Sequence, residues 1–278
     1  MAKKKFISFV TIFILLTTLA CSVDIGGEKK PQASSPDQQQ PQSPAIVEQA
    51  PEPDIQYAGV SFSYDDLLAA DIAVEDVPAS EGDEGMIAPW ENYPAHVVFH
   101  FNGYPLRDTF HAPRIIVYPI EEYRARDEHA ASIIDELQQY LTYSTPALGQ
   151  HIPFLPTFNA AQFITTKTQK MAFQNGEGVR FLTLYTQYGP PINNHELFYT
   201  FQGITADGRK YISAIFPVQH PNLPADGTLP DGMDFVEWAE EAAEYVANQA
   251  AMLDGQADDS FTPSLVLLDE LIRSLLIE

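Results

Sequence analysis

From residue 55 onward, apolar and polar positions recur with periods that sort the chain into strands and helices. Residues 57–64 (YAGVSFSY) alternate, with Ala58, Val60, Phe62 and Tyr64 on one side, as a half-buried strand requires. Residues 80–95 are acidic and carry Gly and Pro, which reads as a loop. Alternation returns at His96–Gly103, with Val97, Phe99 and Phe101 on one face and His96, Val98, His100 and Asn102 on the other. Arg114–Tyr118 (RIIVY) is a short apolar strand. The period then changes. In 121–143, Tyr123, Ala130, Ile133, Ile134, Leu137 and Leu141 recur at three- and four-residue spacing, which predicts an amphipathic helix.

The most regular section follows. Residues 162–173 and 179–188 flank Asn175-Gly176, and residues 197–204 and 210–217 flank Asp207-Gly208. Both dipeptides are strong reversal signals, and short loops force antiparallel neighbours. Two helices close the chain. Asp234 and Glu237 fit an N-terminal capping pair, ahead of Phe235, Trp238, Ala242, Tyr245, Val246 and Leu253 on one face, with Gly255 as the stop. Thr262-Pro263 fits an N-cap followed by proline at the first helical position, with Leu265, Leu268, Leu271, Ile272 and Leu275 as the stripe behind it. The expected fold is α+β: an antiparallel meander sheet of six or seven strands with three helices packed on it, one domain over 55–278.

The first 54 residues follow other rules. Lys3-Lys4-Lys5, the apolar run Phe6–Leu16 and the short stretch Thr17–Ala20 have the three-part layout of an export signal over residues 1–20. The apolar run is too short to span a bilayer, for which about 20 apolar residues are needed. Thr18-Leu19-Ala20-Cys21 resembles the lipobox of bacterial lipoproteins, with Thr18 where Leu is usual. That resemblance implies cleavage before Cys21 and its lipidation, and two acyl chains hold a protein stably where one does not. Residues 22–54 carry six prolines, six glutamines and no Phe, Tyr, Trp or Leu. Such a segment cannot offset the entropy of ordering it, so 21–54 reads as a lipid-anchored, disordered tether.

Charge and cysteine content narrow the partners. The formal net charge is −23, and loss of the three signal lysines leaves 12 basic against 38 acidic residues, or −26. Such a surface repels nucleic acid, so none is expected as a partner. Cys21 is the only cysteine, so no disulfide holds the fold.

Candidate chemistry is sparse. Gly59-Val60-Ser61-Phe62-Ser63 begins like a nucleophile elbow but lacks the last glycine and sits in an alternating strand. His195-Glu196 begins like a zinc-protease helix, yet Tyr199 stands where the second histidine belongs, and a turn residue is expected. His96 and His100 would chelate zinc on a helix, but on a strand they lie about 13 Å apart. His111 with Arg114, and Lys167 with Lys170, are pairs that could recognise an anion. Asp226, Asp231 and Asp234 sit in a glycine-bearing loop that suggests calcium, but the spacing fails the EF-hand, and turn and cap roles are expected instead. No phosphate-binding loop or Cys-x-x-Cys is present.

YAGVSFSY (57–64), IPFLPTFNAAQ (152–162), INNHELFYTFQG (192–203) and SFTPSL (260–265) resemble a group of bacterial lipoproteins of Chloroflexi type. No activity is attached to that group, so the resemblance lends none. The opening strand and meander are also similar in architecture to PsbP/Mog1-like domains, which carries no functional residue across. The expectation is a membrane-anchored exported lipoprotein acting as a non-enzymatic binding or envelope-support module. The alternatives are a hydrolase whose site is assembled from distant residues, and a solute-binding lipoprotein. Its partners would be the membrane, through Cys21, and a protein or small ligand; no cofactor, metal or catalytic residue is assigned.

Overall fold

The structure, a computed structural model, describes residues 52–81, 88–143 and 151–278. The expected signal peptide (1–20), Cys21 and nearly all of the tether lie outside these residues. The strands are β1 (Ile55–Tyr57), β2 (Val60–Phe62), β3 (Asp71–Val77), β4 (His96–Asn102) and β5 (Arg114–Pro119), followed by helices α1 (Ile120–Arg126) and α2 (Glu128–Tyr143). Then come β6 (Ala161–Phe173), β7 (Gly176–Thr186), β8 (Phe198–Thr205) and β9 (Lys210–Pro217). Helices α3 (Phe235–Asp254) and α4 (Leu265–Ser274) and strand β10 (Leu276–Ile277) complete the order. The fold is α+β, as expected. Seven antiparallel strands form one sheet in the order β3-β4-β5-β9-β8-β7-β6, and β1-β2-β10 form a small second sheet. No described helix is long and apolar enough to cross a membrane.

Two meanders meet in the large sheet. The first ends at β5; α1 and α2 carry the chain across to the far edge at β6, and the second meander returns until β9 lies beside β5. Both faces are covered. Phe99, Ile115, Leu182, Phe201 and Phe216 pack under α4, Leu253 of α3 and the small sheet. Their neighbours in the strands, among them Val98, Ile116, Phe181 and Ile215, pack under α1, α2 and the segment Ile152–Leu155. Cover on both faces explains why all eight residues of β8 are buried and why its sequence lacks a polar side.

Four expectations need correction. There are four helices rather than three, because the predicted 121–143 helix breaks at Asp127. Asp127 adopts an extended backbone (φ −142°, ψ 111°), and its carboxylate accepts from His129 N at 2.9 Å, so it caps a new helix instead of continuing the old one. The predicted strand 57–64 is a hairpin. Ala58 and Gly59 have φ of +48° and +79°, the double left-handed turn that suits a two-residue hairpin, and Tyr57 pairs with Val60. The first long hairpin turns at Gln174-Asn175, since Phe173 pairs with Gly176. Gly176 serves space rather than the turn: a Cβ there would stand 2.2 Å from the Phe173 ring and 2.4 Å from Ile204 O. Finally, Thr262 is not a cap. Its backbone exchanges two hydrogen bonds with Gln219, and Ser264 caps α4 by accepting from Val266 N at 3.2 Å.

Asp234 and Glu237 do form the expected capping box on α3. Asn175, one of the two turn residues, also clamps the C-terminal strand: its side-chain oxygen accepts from Ile277 N and its amide donates to Ile277 O.

Candidate binding pocket

The segment 152–160 is laid across one face of the sheet by two glutamines. Gln202, buried in β8, accepts from Leu155 N at 3.0 Å and from the Tyr211 hydroxyl at 2.6 Å, while its amide donates to Thr200 and Ser213. Gln162 accepts from Ile152 N at 2.9 Å and donates to the Tyr185 hydroxyl at 3.1 Å. Both anchors fall in the first four residues, and further along Asn159 O accepts from the Gln187 amide at 2.6 Å. Phe158 and Asn159 of this segment form a wall standing opposite the start of β5 and the end of β7.

Between these walls is a pocket of about 650 Å³. Its aromatic lining is dense. The His111 ring lies near-parallel to Phe158 (5.2 Å between centroids, 19°) and edge-on to Phe198 (4.5 Å, 67°). Tyr185 lies between Phe154 and Phe158, at 4.9 and 5.1 Å. At the rim, Phe110 and Tyr188 are 63% and 60% exposed, unusual for such large rings.

Four polar side chains of the lining have no hydrogen-bond partner among the described residues; Asn159 and Tyr188 are exposed, and two are not. One is the half-buried guanidinium of Arg114, the first residue of β5, which also has no carboxylate within ion-pair distance there. The other is the imidazole of His111, which is buried. Burial, and then the charge of Arg114, push the His111 pKa down to about 3, so its ring is neutral at ordinary pH. Burial also lowers the Arg114 pKa, although a guanidinium has far to fall before it loses its proton. On the acidic side, Glu196 lines the pocket with one oxygen engaged by the Asn193 amide at 2.7 Å.

The structure brings His111 and Arg114 together in this pocket, places His96 and His100 on one strand face, and gives the other candidates separate surroundings. Lys167 sits in a bulge of β6 with φ of +55° and is consumed by Asp258 at 2.6 Å, whereas Lys170 donates to Leu141 O and lies over the Tyr140 ring. His96 and His100 do lie on a strand and share one face, lining a smaller pocket of about 430 Å³ that also touches Arg114. His100 pairs with Glu75 at 2.9 Å and His96 Nδ1 contacts Pro94 O. His195 is a turn residue bonded to Asp108 O at 2.6 Å. Ser61 is in the middle strand of the small sheet, opposite Gln56 and Leu276. Asp226 accepts from Thr228 N in a local turn, and Gly232 (φ +81°) completes a turn from Pro230 to Met233. Among the described residues, no group of three or more His, Cys, Asp or Glu is placed to hold a metal.

Sequence reasoning missed Phe110, Phe158, Tyr185, Tyr188 and Glu196, which come from four separated segments. No family model matches the chain, and comparison with curated proteins and with solved structures yields no significant match.

Proposed function

We propose that the chain is an exported lipoprotein, tethered through Cys21, whose domain binds a small ligand in the pocket between β5, β7 and the 152–160 segment. The lipobox-like Thr18–Cys21, the short apolar run before it and the Pro/Gln-rich stretch after it support the anchor. The resemblance of residues 57–64, 152–162, 192–203 and 260–265 to Chloroflexi-type lipoproteins supports membership of that group.

The observation that carries the binding reading is the conjunction of aromatic walls with two unexposed polar groups that lack partners. A pocket of this size with a few convergent polar atoms is the usual form of a small-molecule site. A nucleophile held by a base is the mark of a hydrolase, and no histidine hydrogen-bonds to a serine of the pocket among the described residues, whose lining contains no serine. The reading the lining favours is a receptor.

Saturation-transfer NMR of 2-naphthol with the full chain is expected to show saturable binding that is lost in Ala160→Phe, which fills the pocket. Equal transfer in both proteins overturns the assignment. Mass spectrometry of the mature N-terminus is expected to find a diacylglyceryl-modified Cys21. An intact Met1 or an unmodified Cys21 overturns the anchor.

A further inference from the structure

We infer that the pocket selects monoanions: a single carboxylate, gripped by the Arg114 guanidinium, carried on a flat aromatic or similarly apolar body. The inference rests on the binding reading above and adds the ligand's class.

Charge comes first. Arg114 is the only cation in the lining, and it has no partner among the described residues. A guanidinium removed from part of its water and left without a carboxylate is costly to the unliganded protein. An arriving anion removes that cost, and the planar fork of the guanidinium fits the two oxygens of a carboxylate.

The rest of the lining sets the charge number at one. His111 stays neutral, so it offers a hydrogen bond and no second positive charge. Glu196 stands in the same lining, and the whole chain carries −23, so a second negative charge on the ligand meets repulsion from near and far. Phosphate sites are built from several cations or from a run of backbone N–H groups at a helix N-terminus. Neither is present here: no helix begins among the residues that line the pocket.

Shape sets the body. His111, Phe158 and Tyr185 all line the cavity, with the first two near-parallel (19°), and flat rings stack favourably on aromatic side chains. The exposed Phe110 and Tyr188 at the rim extend this surface outward. The volume of about 650 Å³ holds a bicyclic ring with room to spare.

The test uses the full-length chain in detergent and three probes of one shape: 2-naphthoate, 2-naphthamide and 2-naphthyl phosphate, each titrated by calorimetry against a detergent blank. Naphthoate is expected to bind at least 10-fold more tightly than either of the others. Arg114→Gln should bring naphthoate down to the level of the amide and leave the amide unchanged. Arg114→Lys, which keeps the charge but not the fork, should recover only part of the difference. Equal binding of naphthoate and naphthamide by the wild type overturns the anion selectivity while leaving the binding reading standing. Tighter binding of the phosphate overturns the monoanion assignment. Failure of all three probes, together with failure of 2-naphthol, brings down the pocket itself and this inference with it.

Discussion

Arg180 and Arg114 stand on opposite faces of the same sheet and are treated in opposite ways. Arg180, on β7 under α4, is 3% exposed and fenced by acid: Asp258 at 2.6 Å and Asp269 at 3.5 Å, with Gln169 accepting at 3.0 Å. Asp269 in turn accepts from the Tyr199 hydroxyl at 3.0 Å and faces Arg273 at 3.5 Å. Asp258 is also held by Lys167; burial alone would raise its pKa, but Lys167 and Arg180 together hold it below the usual carboxylate value. This network ties α4 and the turn before it to the sheet. Arg114 has aromatic neighbours and, although Glu196 lines the same pocket, no carboxylate within ion-pair distance among the described residues. The contrast teaches how to read a guanidinium in an acidic protein. With 38 carboxylates in the chain, Arg180 meets two of them, Arg126 bonds Ser80 and Asn92 instead, and Arg114 has neither kind of partner among the described residues.

The contrast breaks most visibly at Asp269. Asp269→Ala removes an acceptor from Tyr199 and a counter-charge from Arg180 in a closed core, and should cost about 3–5 kcal/mol in denaturant unfolding. The double change Arg180→Met with Asp269→Leu should recover most of that loss. A loss of under about 1 kcal/mol in the single variant means that the network is not what holds α4.

Protonation probes the other face. The folded-state pKa of His111, about 3, lies below its ordinary 6.5, so between these values the unfolded chain takes up a proton that the folded chain refuses. Its contribution is complete above pH 6.5 and is lost as pH falls through the window, about 2 kcal/mol by pH 5. His111→Phe should flatten the slope of stability against pH between 6.5 and 5. An unchanged slope places the titration elsewhere.

The smallest effect is the most diagnostic. Arg114→Gln should leave the unliganded protein's melting temperature unchanged or raise it, with a free-energy change within about 1 kcal/mol, because no partner is lost and a desolvated charge is removed. A loss of about 2 kcal/mol or more shows that Arg114 belongs with Arg180 as a structural residue.

Where local chemistry decides structure, the sequence was legible. Asp234 with Glu237 predicted the start of α3, Asp207-Gly208 marked the β8–β9 turn (Gly208 φ +72°), and alternation located β4 to its faces. Tertiary context hid the rest. Ala58 in a left-handed turn looks like one more apolar position of an alternating strand. β3 was invisible because it is an edge strand: Asp71, Glu75 and Asp76 face solvent there, and acid is what keeps an exposed edge from pairing with another chain. The pocket was half visible. His111 and Arg114 are three residues apart and stood out as a pair, but Phe158, Tyr185 and Tyr188 join them only once β7 has paired its way back toward β5.

The small sheet has a consequence for the order of events in making this protein. Its central strand β2 is bordered on one side by β1 and on the other by β10, so Val60 pairs with Ile277, and Glu278 N donates to Gly59 O at 2.8 Å. A contact between positions so far apart carries a large loop-closure entropy and forms late. The small sheet gains its third strand only when residues 276–277 are brought back beside Val60 and Ser61, after the large sheet has set the distance between them.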